Sequence, residues 1–234
     1  ARISKGNIKF HFLRALLTVS SQYCFFYVLF KANIFVAVLM VSTYGVFTPF
    51  LSRLFLKRPI RKKTLISIII TFVGVVISML PISHLLSMAT LVGFVCGFFI
   101  ACSQVVLYKT TKTSDTISIN FFMYGLSASY ALIIVMIYPG HAVFTASVQH
   151  VTLTLAVVLV LFAFASIGNQ FCRTAAYRRI NNPATLAPFL YTSIIFSAII
   201  DYAWLGVVPH WTVYLGIVIV LIGSAYMAKR KAPS

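Results

Sequence analysis

The sequence predicts an all-α fold, a polytopic transmembrane helix bundle, from its composition, its hydropathy pattern and the placement of its basic residues. Of 234 residues, 61% are hydrophobic and 9% are charged, with a mean hydropathy of +0.99. Soluble domains carry about 25% charged residues. The apolar runs do not alternate with polar residues, which favours helices over the strands of an outer-membrane barrel. The bilayer is therefore expected to be the solvent of this chain.

Eight apolar runs are candidate membrane spans, since a helix needs about 20 mostly apolar residues to cross the hydrocarbon. In chain order they lie at 12–30, 34–52, 64–82, 86–108, 117–138, 151–172, 184–207 and 211–228. The connections are short, so neighbouring spans are predicted to be antiparallel. None of the connections is long enough to form a soluble domain.

Basic residues separate these runs and predict their orientation. If the sides alternate, Lys31 is the one member of the 19 lysines and arginines on the opposite side from all the others. Such a division predicts cytoplasmic chain ends by the positive-inside rule. The basic clusters, in order, hold Arg2, Lys5, Lys9 and Arg14; Arg53, Lys57, Arg58, Arg61, Lys62 and Lys63; Lys109 and Lys112; Arg173, Arg178 and Arg179; and Lys229, Arg230 and Lys231.

Two local patterns refine the fourth and fifth spans. Gly93, Gly97 and Ala101 are spaced by four, which predicts a small-residue stripe in close contact with another helix, either within the bundle or at a dimer face. Asp115 stands just before the fifth span and is predicted to be its N-cap.

A repeat is visible at an offset of 149 residues, which takes Gly74 to Gly223. FTPFLSRLFLKRP (47–59) then lies over FSAIIDYAWLGVV (196–208), and TFVGVVISM (71–79) lies over VLIGSAYMA (220–228). By the charge pattern the two copies have opposite orientations. The sequence therefore predicts an inverted-topology repeat, which is a recurring feature of secondary transporters.

The last two spans, NNPATLAPFLYTSIIFSAIIDYAWLGVVPHWTVYLGIVIVLIGSAYM (181–227), carry Ala187–Pro188, Tyr191, a proline at Pro209 and a glycine-bearing last helix. AVLMVSTYGVFTPFLSRLFLKRPIRKKTLISIIITFVGVVISM (37–79) carries the same pattern, and CRTAAYRRI (172–180) fits the approach to the penultimate span. In these residues the chain resembles the EamA-type members of the drug/metabolite transporter superfamily.

The resemblance implies ten helices in two inverted five-helix halves, of which this sequence lacks the first two. Residues 1–83 are then the remainder of the first repeat, with three helices, and 84–234 are the second repeat, with five. The family usually has glutamates where this chain has Arg58 and Val207, and often a proline where it has Gly45.

Polar side chains inside the spans are candidates for a substrate site near the membrane midplane. The alternative is hydrogen bonding between helices, since buried amides and phenols in hydrocarbon need partners. The candidates are Gln22, Tyr23, Gln104, Asn120, Asn169, Gln170 and Tyr191.

Asp201 is one of two acidic residues in the chain and lies in the apolar run SAIIDYAW. We expect it either to couple transport to a proton or cation, facing an internal cavity, or to be a hydrogen-bonded aspartate near the outer interface. Pro49 and Pro188 lie inside the second and seventh spans and are predicted to kink them.

Several functions are not supported by the sequence. It has no Gly-x-x-x-x-Gly-Lys loop, paired carboxylates or His-Glu-x-x-His motif, so no catalytic residue, cofactor or metal is predicted. The net charge of +17 does not indicate nucleic-acid binding, because the basic residues form short clusters between apolar runs. Those clusters are expected to contact anionic lipid headgroups.

The leading hypothesis is a secondary transporter of a bacterial inner membrane or a plasma membrane, working by alternating access as a monomer or homodimer. The resemblance implies a small-molecule substrate, such as an amino acid, a nucleotide-like or amphiphilic cationic solute, or S-adenosylmethionine. The alternative is a non-transporting membrane protein or a truncated, defunct carrier.

Overall fold

The computed structural model describes residues 8–31, 34–57, 62–79, 88–137, 152–181, 183, 186, 192–205 and 211–228. Its α-helices, in chain order, are α1 (Ile8–Lys31), α2 (Ile34–Ser42), α3 (Tyr44–Leu56), α4 (Lys62–Met79), α5 (Met88–Thr111), α6 (Thr116–Ile137), α7 (Leu153–Arg179), α8 (Thr192–Leu205) and α9 (Trp211–Ala228).

The helices follow the predicted spans, and the prediction of an all-α helix bundle is confirmed. Helices α2 and α3 meet at Thr43 and share the second predicted span, while every other span overlaps one helix. Helix α7 continues to Arg179, beyond its predicted end at 172. Basic residues predict a loop there, but cations in the last turn of a helix interact favourably with its free carbonyl groups.

Five segments of the described chain are long and apolar enough to cross a bilayer: Ile8–Lys31, Ala37–Leu56, Met88–Thr111, Thr116–Ile137 and Leu153–Arg179. The side chains are distributed inside out relative to a soluble protein. Hydroxyl groups such as those of Ser67 and Thr71 are buried, while Leu153, Phe162 and Ile137 are largely exposed. Such an apolar exterior suits hydrocarbon rather than water. The chain is therefore an integral membrane protein.

The described residues form two compact units. Unit 1 contains the residues up to Val19 together with Val106–Ile180, and unit 2 contains Ser20–Val105 together with the residues from Asn181 onward. The division falls within α1 and within α5. The predicted repeats, 1–83 and 84–234, are defined by duplication of sequence rather than by compactness, and that division stays a prediction.

In unit 2, helices α4 and α9 pack through small residues at a close approach of their backbones. A Cβ atom at Gly74 would lie 2.8 Å from the carbonyl oxygen of Gly216, and one at Gly223 would lie 3.1 Å from the backbone nitrogen of Thr71. The hydroxyl of Ser67 donates a hydrogen bond of 2.6 Å to the carbonyl oxygen of Gly223. The glycines therefore permit a helix contact that larger side chains would block.

The contacts between α4 and α9 show that these helices are antiparallel. Ser67, near the start of α4, meets Gly223, near the end of α9, whereas the later Gly74 meets the earlier Gly216. The repeat offset of 149 residues carries α4 (62–79) onto α9 (211–228). It also carries the contact between Ser67 and Gly223 onto the contact between Gly216 and Gly74, as across a two-fold axis. This pairing supports the predicted inverted-topology repeat.

The small-residue stripe of α5 packs at the break between α2 and α3, also within unit 2. A Cβ atom at Gly93 would lie 2.6 Å from Cβ of Met40, and one at Gly97 would lie 3.2 Å from the backbone nitrogen of Tyr44. Ala101 continues the stripe in an apolar cluster with Tyr44. The predicted close contact of this stripe is confirmed, and it is made within the bundle.

The break between α2 and α3 lies at Thr43, whose hydroxyl donates a hydrogen bond of 2.7 Å to the carbonyl oxygen of Met40. Pro49 lies further along, buried within α3, and the helix continues through it. The predicted kink at Pro49 stays a prediction.

In unit 1, helices α6 and α7 pack together, and basic residues gather at one end of the unit. The ammonium group of Lys112 donates hydrogen bonds of 3.1 Å and 2.8 Å to the carbonyl oxygens of Arg178 and Ile180, which closes the end of α7. Lys109 Nζ lies 4.0 Å from the ring centroid of Phe10 on α1. The start of α1, the connector after α5 and the end of α7 therefore share one end of unit 1, hereafter its basic end, as the charge pattern predicts.

Helix α6 begins at the basic end with the predicted N-cap. The Asp115 carboxylate accepts a hydrogen bond of 3.4 Å from the backbone N–H of Ser118. Ser118, through its side chain and then its backbone, holds the pKa of Asp115 below its ordinary value, against a smaller opposing effect of desolvation.

Candidate functional site

Two of the predicted site residues come together between α6 and α7 in unit 1. Asn120 is buried, and its Oδ1 accepts a hydrogen bond of 3.0 Å from the hydroxyl of Thr174. Gln170, one turn earlier on α7, places its Nε2 3.2 Å from Sδ of Met123. Asn169 lies beside Gln170 in sequence and is exposed. The α6–α7 contact is therefore polar at this level, and the Nδ2 group of Asn120 has no hydrogen-bond partner.

Helix α1 contributes two buried basic side chains to unit 1. Arg14 is only 1% exposed, and neither its Nε nor its Nη1 has a hydrogen-bond partner. His11, one turn earlier, is equally buried, and both of its ring nitrogens lack partners. Its ring centroid lies 5.7 Å from that of Phe122 on α6, which places α1 against α6.

The electrostatic surroundings of Arg14 connect it to both α6 and α7. Its guanidinium group lies within electrostatic range of Arg173 on α7, which repels it, and of the Tyr124 phenol on α6. The Tyr124 hydroxyl donates a hydrogen bond of 3.1 Å to the carbonyl oxygen of Ser166, so α6 and α7 are joined here too. Arg14 is therefore close enough to a second, partly buried cation to be repelled by it.

These groups lie at similar distances from the basic end of unit 1. Arg14 is six residues into α1, and Arg173 is six residues before the end of α7, which corresponds to about 9 Å along each axis. Asn120 is four residues into α6, or about 6 Å. We refer to His11, Arg14, Asn120 and Arg173 as the basic cluster.

The basic cluster presents more hydrogen-bond donors than acceptors. Guanidinium and amide nitrogens are donors, and only the Asn120 oxygen, already paired with Thr174, is a committed acceptor. The nearest acidic residue in sequence, Asp115, is engaged as the α6 N-cap. Leaving buried donors unpaired costs about 1–3 kcal/mol each, and more for charged groups. The cluster is therefore a place where a bound group could supply missing acceptors.

The other predicted site residues fall in unit 2 or outside the described residues. Gln22 and Tyr23 are exposed on α1, and Gln104 is buried on α5 with its Oε1 unpartnered. Asp201 lies in α8, but its side chain is outside what the structure describes. Tyr191 and Pro188 lie outside the described residues as well. Within the described part of the chain, no three His, Cys, Asp or Glu side chains are placed to hold a metal ion.

Sequence reasoning missed Arg14 and Arg173 as site residues because it assigned them to the positive-inside pattern, and it did not single out His11. A signal was present for Arg14, which lies inside the predicted span 12–30 rather than in the basic stretch before it. A basic residue within a span is rare and usually faces the interior of a bundle. For Arg173 the signal was weaker, since it directly follows the predicted end of its span.

Comparisons with known proteins agree with the helical architecture. Residues 2–80 match the model of the EamA-like transporter family. A solved structure described as "Crystal structure of protein" aligns with a TM-score of 0.74 at 13% sequence identity, covering 98% of this chain and 80% of that chain. At this identity the likeness concerns the fold alone. No curated protein sequence matches the chain.

Proposed function

We propose that the chain is a secondary transporter that moves a small solute by alternating access, because residues 2–80 match the model of the EamA-like transporter family. The observation that carries this proposal is the family match. It covers most of the predicted first repeat, 1–83, and includes α4. The match includes 37–79, one of the two segments that carry the resemblance in the sequence.

The packing of α4 against α9 supports the mechanism. Alternating access by inverted repeats needs two similar bundles of opposite direction that meet around a shared region. Helices α4 and α9 are antiparallel and pair as if related by a two-fold axis. The contact of Ser67 with Gly223 is repeated as the contact of Gly216 with Gly74. The two repeats would rock relative to one another while such contacts hold them together.

Asp201 is the proposed coupling residue. It lies in α8, a helix whose composition is otherwise mostly apolar, and an intramembrane carboxylate can exchange a proton or bind a cation. Energy for transport would come from a proton gradient, from solute exchange or from the gradient of the solute itself. If a proton gradient drives uptake, Asp201→Asn is expected to remove the response of uptake to that gradient.

Uptake by proteoliposomes tests the proposed function. The purified chain is reconstituted, and uptake of a panel of labelled amino acids, nucleotides, organic acids and quaternary amines is measured with and without a pH gradient. Accumulation of at least one solute above that in protein-free vesicles is expected. The Asp201→Asn variant is measured in parallel, with Gly168→Ala as a control, because nothing lies within 4 Å of a Cβ atom at Gly168. If no solute of any class enters, the transport proposal fails and the non-transporting alternative stands.

A further inference from the structure

We propose that the basic cluster of unit 1 binds a carboxylate or phosphate group, so that the transported solute is an anion. The claim that the bound anion is transported rests on the proposed function. The binding itself depends only on the geometry of α1, α6 and α7. Two of its members, Arg14 and Arg173, are residues that the sequence pattern assigns to topology rather than to a site.

Burial of Arg14 is the first step of the argument. A guanidinium group in a membrane protein normally faces water, headgroups or a paired acid, because an uncompensated charge in a low-dielectric interior is strongly unfavourable. Arg14 is 1% exposed, and its Nε and Nη1 lack partners. It lies about two turns inside α1, which is too deep for its position to be explained by the positive-inside rule alone.

The neighbours of Arg14 increase the positive charge instead of neutralising it. Arg173 on α7 lies within electrostatic range of Arg14 and repels it. The Asp115 carboxylate, at the basic end, is held by Ser118 as the α6 N-cap. Among the side chains that the structure describes, no acid is paired to Arg14. Two cations and an amide at one level therefore describe a site in which a ligand would supply the negative charge.

The arrangement of donors specifies the chemistry of that ligand. Arginine presents a planar fork of N–H groups that matches the two oxygens of a carboxylate or phosphate. Asn120 Nδ2 is an unpaired amide donor, and a neutral His11 ring adds one N–H donor. The N–H groups of Arg14, Asn120 and His11 are therefore the donors expected to bind the anion. A cationic solute would instead be repelled by Arg14 and Arg173.

A thermal-shift titration of the full chain in detergent tests binding. Sodium succinate and sodium phosphate are compared with sodium chloride at equal ionic strength, and choline chloride serves as the cationic probe. Succinate or phosphate is expected to raise the unfolding temperature, and choline is not. Arg14→Gln is expected to weaken this binding by about tenfold or more, since it removes a charge-assisted pair of hydrogen bonds.

Two further variants separate binding from folding and from net charge. Arg179→Gln removes the same charge from the exposed end of α7 and is expected to leave anion binding unchanged. Arg14→Lys retains the charge without the planar fork and is expected to bind with intermediate affinity. Without ligand, Arg14→Gln should unfold at the same temperature as the unmodified chain or higher, because it removes an uncompensated buried charge.

The outcomes distinguish this proposal from the proposed function. If anions bind through Arg14 but no solute enters proteoliposomes, the site stands and transport fails. If only neutral or cationic solutes are transported and Arg14→Gln transports them normally, transport stands and the anion site is overturned. Stabilisation by added phosphatidylglycerol alone, with none from succinate or phosphate, would identify a lipid headgroup site and would also overturn the solute assignment.

Discussion

Single residues at the basic end of unit 1 show how a chain with few acids uses them. Asp115 is one of two acidic residues in the whole sequence, and its carboxylate serves the start of α6. The local reason is that the first N–H groups of a helix lack partners within the helix. The backbone N–H of Ser118 donates a hydrogen bond to this carboxylate, and Ser118 keeps its pKa low.

Replacing Asp115 by Ala should lower the thermal stability of the chain at neutral pH. The pKa of Asp115 is lowered in the folded state, so its contribution is complete above the ordinary carboxyl pKa of about 4. The contribution is lost as the pH falls through the lower folded value. The difference in unfolding temperature between the original chain and Asp115→Ala, measured from neutral to acid pH, should therefore shrink at the acid end.

Asp115→Asn is the matched control, since asparagine is also a favoured N-cap but does not titrate. It should lose less stability than Asp115→Ala, and its unfolding temperature relative to Asp115→Ala should not depend on pH. A difference between the original chain and Asp115→Ala that grows as the pH falls would contradict the assigned pKa direction.

At the scale of helices, the contact between α4 and α9 depends on backbone proximity. A Cβ atom at Gly74 would lie 2.8 Å from the carbonyl oxygen of Gly216, and a backbone atom cannot move aside as a flexible side chain can. The two-fold character of the contact means that Gly74 and Gly223 have equivalent roles. Substitutions at either position should therefore act alike.

Gly74→Val and Gly223→Val should each destabilise the protein by about 1–3 kcal/mol, the usual range for overpacking a well-packed contact. Gly168 on α7 provides the opposite expectation, because a Cβ atom there meets nothing within 4 Å. Gly168→Ala should be neutral or more stable by up to about 1 kcal/mol, through helix propensity. Thermal unfolding in detergent measures all three. Equal stability of Gly74→Val and the original chain would show that α4 and α9 are not in close contact.

Much of this architecture follows from sequence patterns, and the exceptions have physical causes. The span positions depend on hydropathy, the stripe of small residues from Gly93 to Ala101 on spacing, and the Asp115 cap on a hydrogen bond between nearby residues. These three features can be recognised in the sequence, whereas the break at Thr43 cannot. Its hydroxyl bonds back to Met40, and a threonine does the same in many unbroken helices.

The candidate site was harder to predict for a similar reason. Asn120 and Gln170 stand out because amides are conspicuous in an apolar run. Arg14 lies inside its predicted span, but near enough to the start of the span to be grouped with the basic residues before it. Whether such a residue faces headgroups or lies buried depends on how α1 packs against α6 and α7, and that is a property of tertiary structure.

For the whole molecule, the charge pattern predicts the orientation in the membrane, and contacts within unit 1 agree with that prediction. Lys112 bonds to the carbonyl groups at the end of α7, and Lys109 lies over the Phe10 ring. These contacts bring together three chain segments that the pattern assigns to one side. They establish a common end for the segments without specifying which compartment it faces.

Cysteine labelling determines that compartment. In a variant with Cys24, Cys96, Cys102 and Cys172 replaced by alanine, one cysteine is introduced at Thr113, which is exposed in the connector after α5. In intact cells of a bacterial host, a membrane-impermeant maleimide is expected to leave Thr113→Cys unlabelled until the cells are opened. A cysteine introduced at Lys31 should react from outside. Labelling in the reverse order would invert the assigned orientation.

The self-matching contact between α4 and α9 has a consequence for how such a surface can be assembled. A surface that pairs with its own counterpart about a two-fold axis can form equally between two separate, identical chains inserted in opposite orientations. In such a dimer, a single substitution at the position equivalent to Gly74 and Gly223 would alter both sides of the contact at once. In the present chain each position can change independently, and both hold glycine.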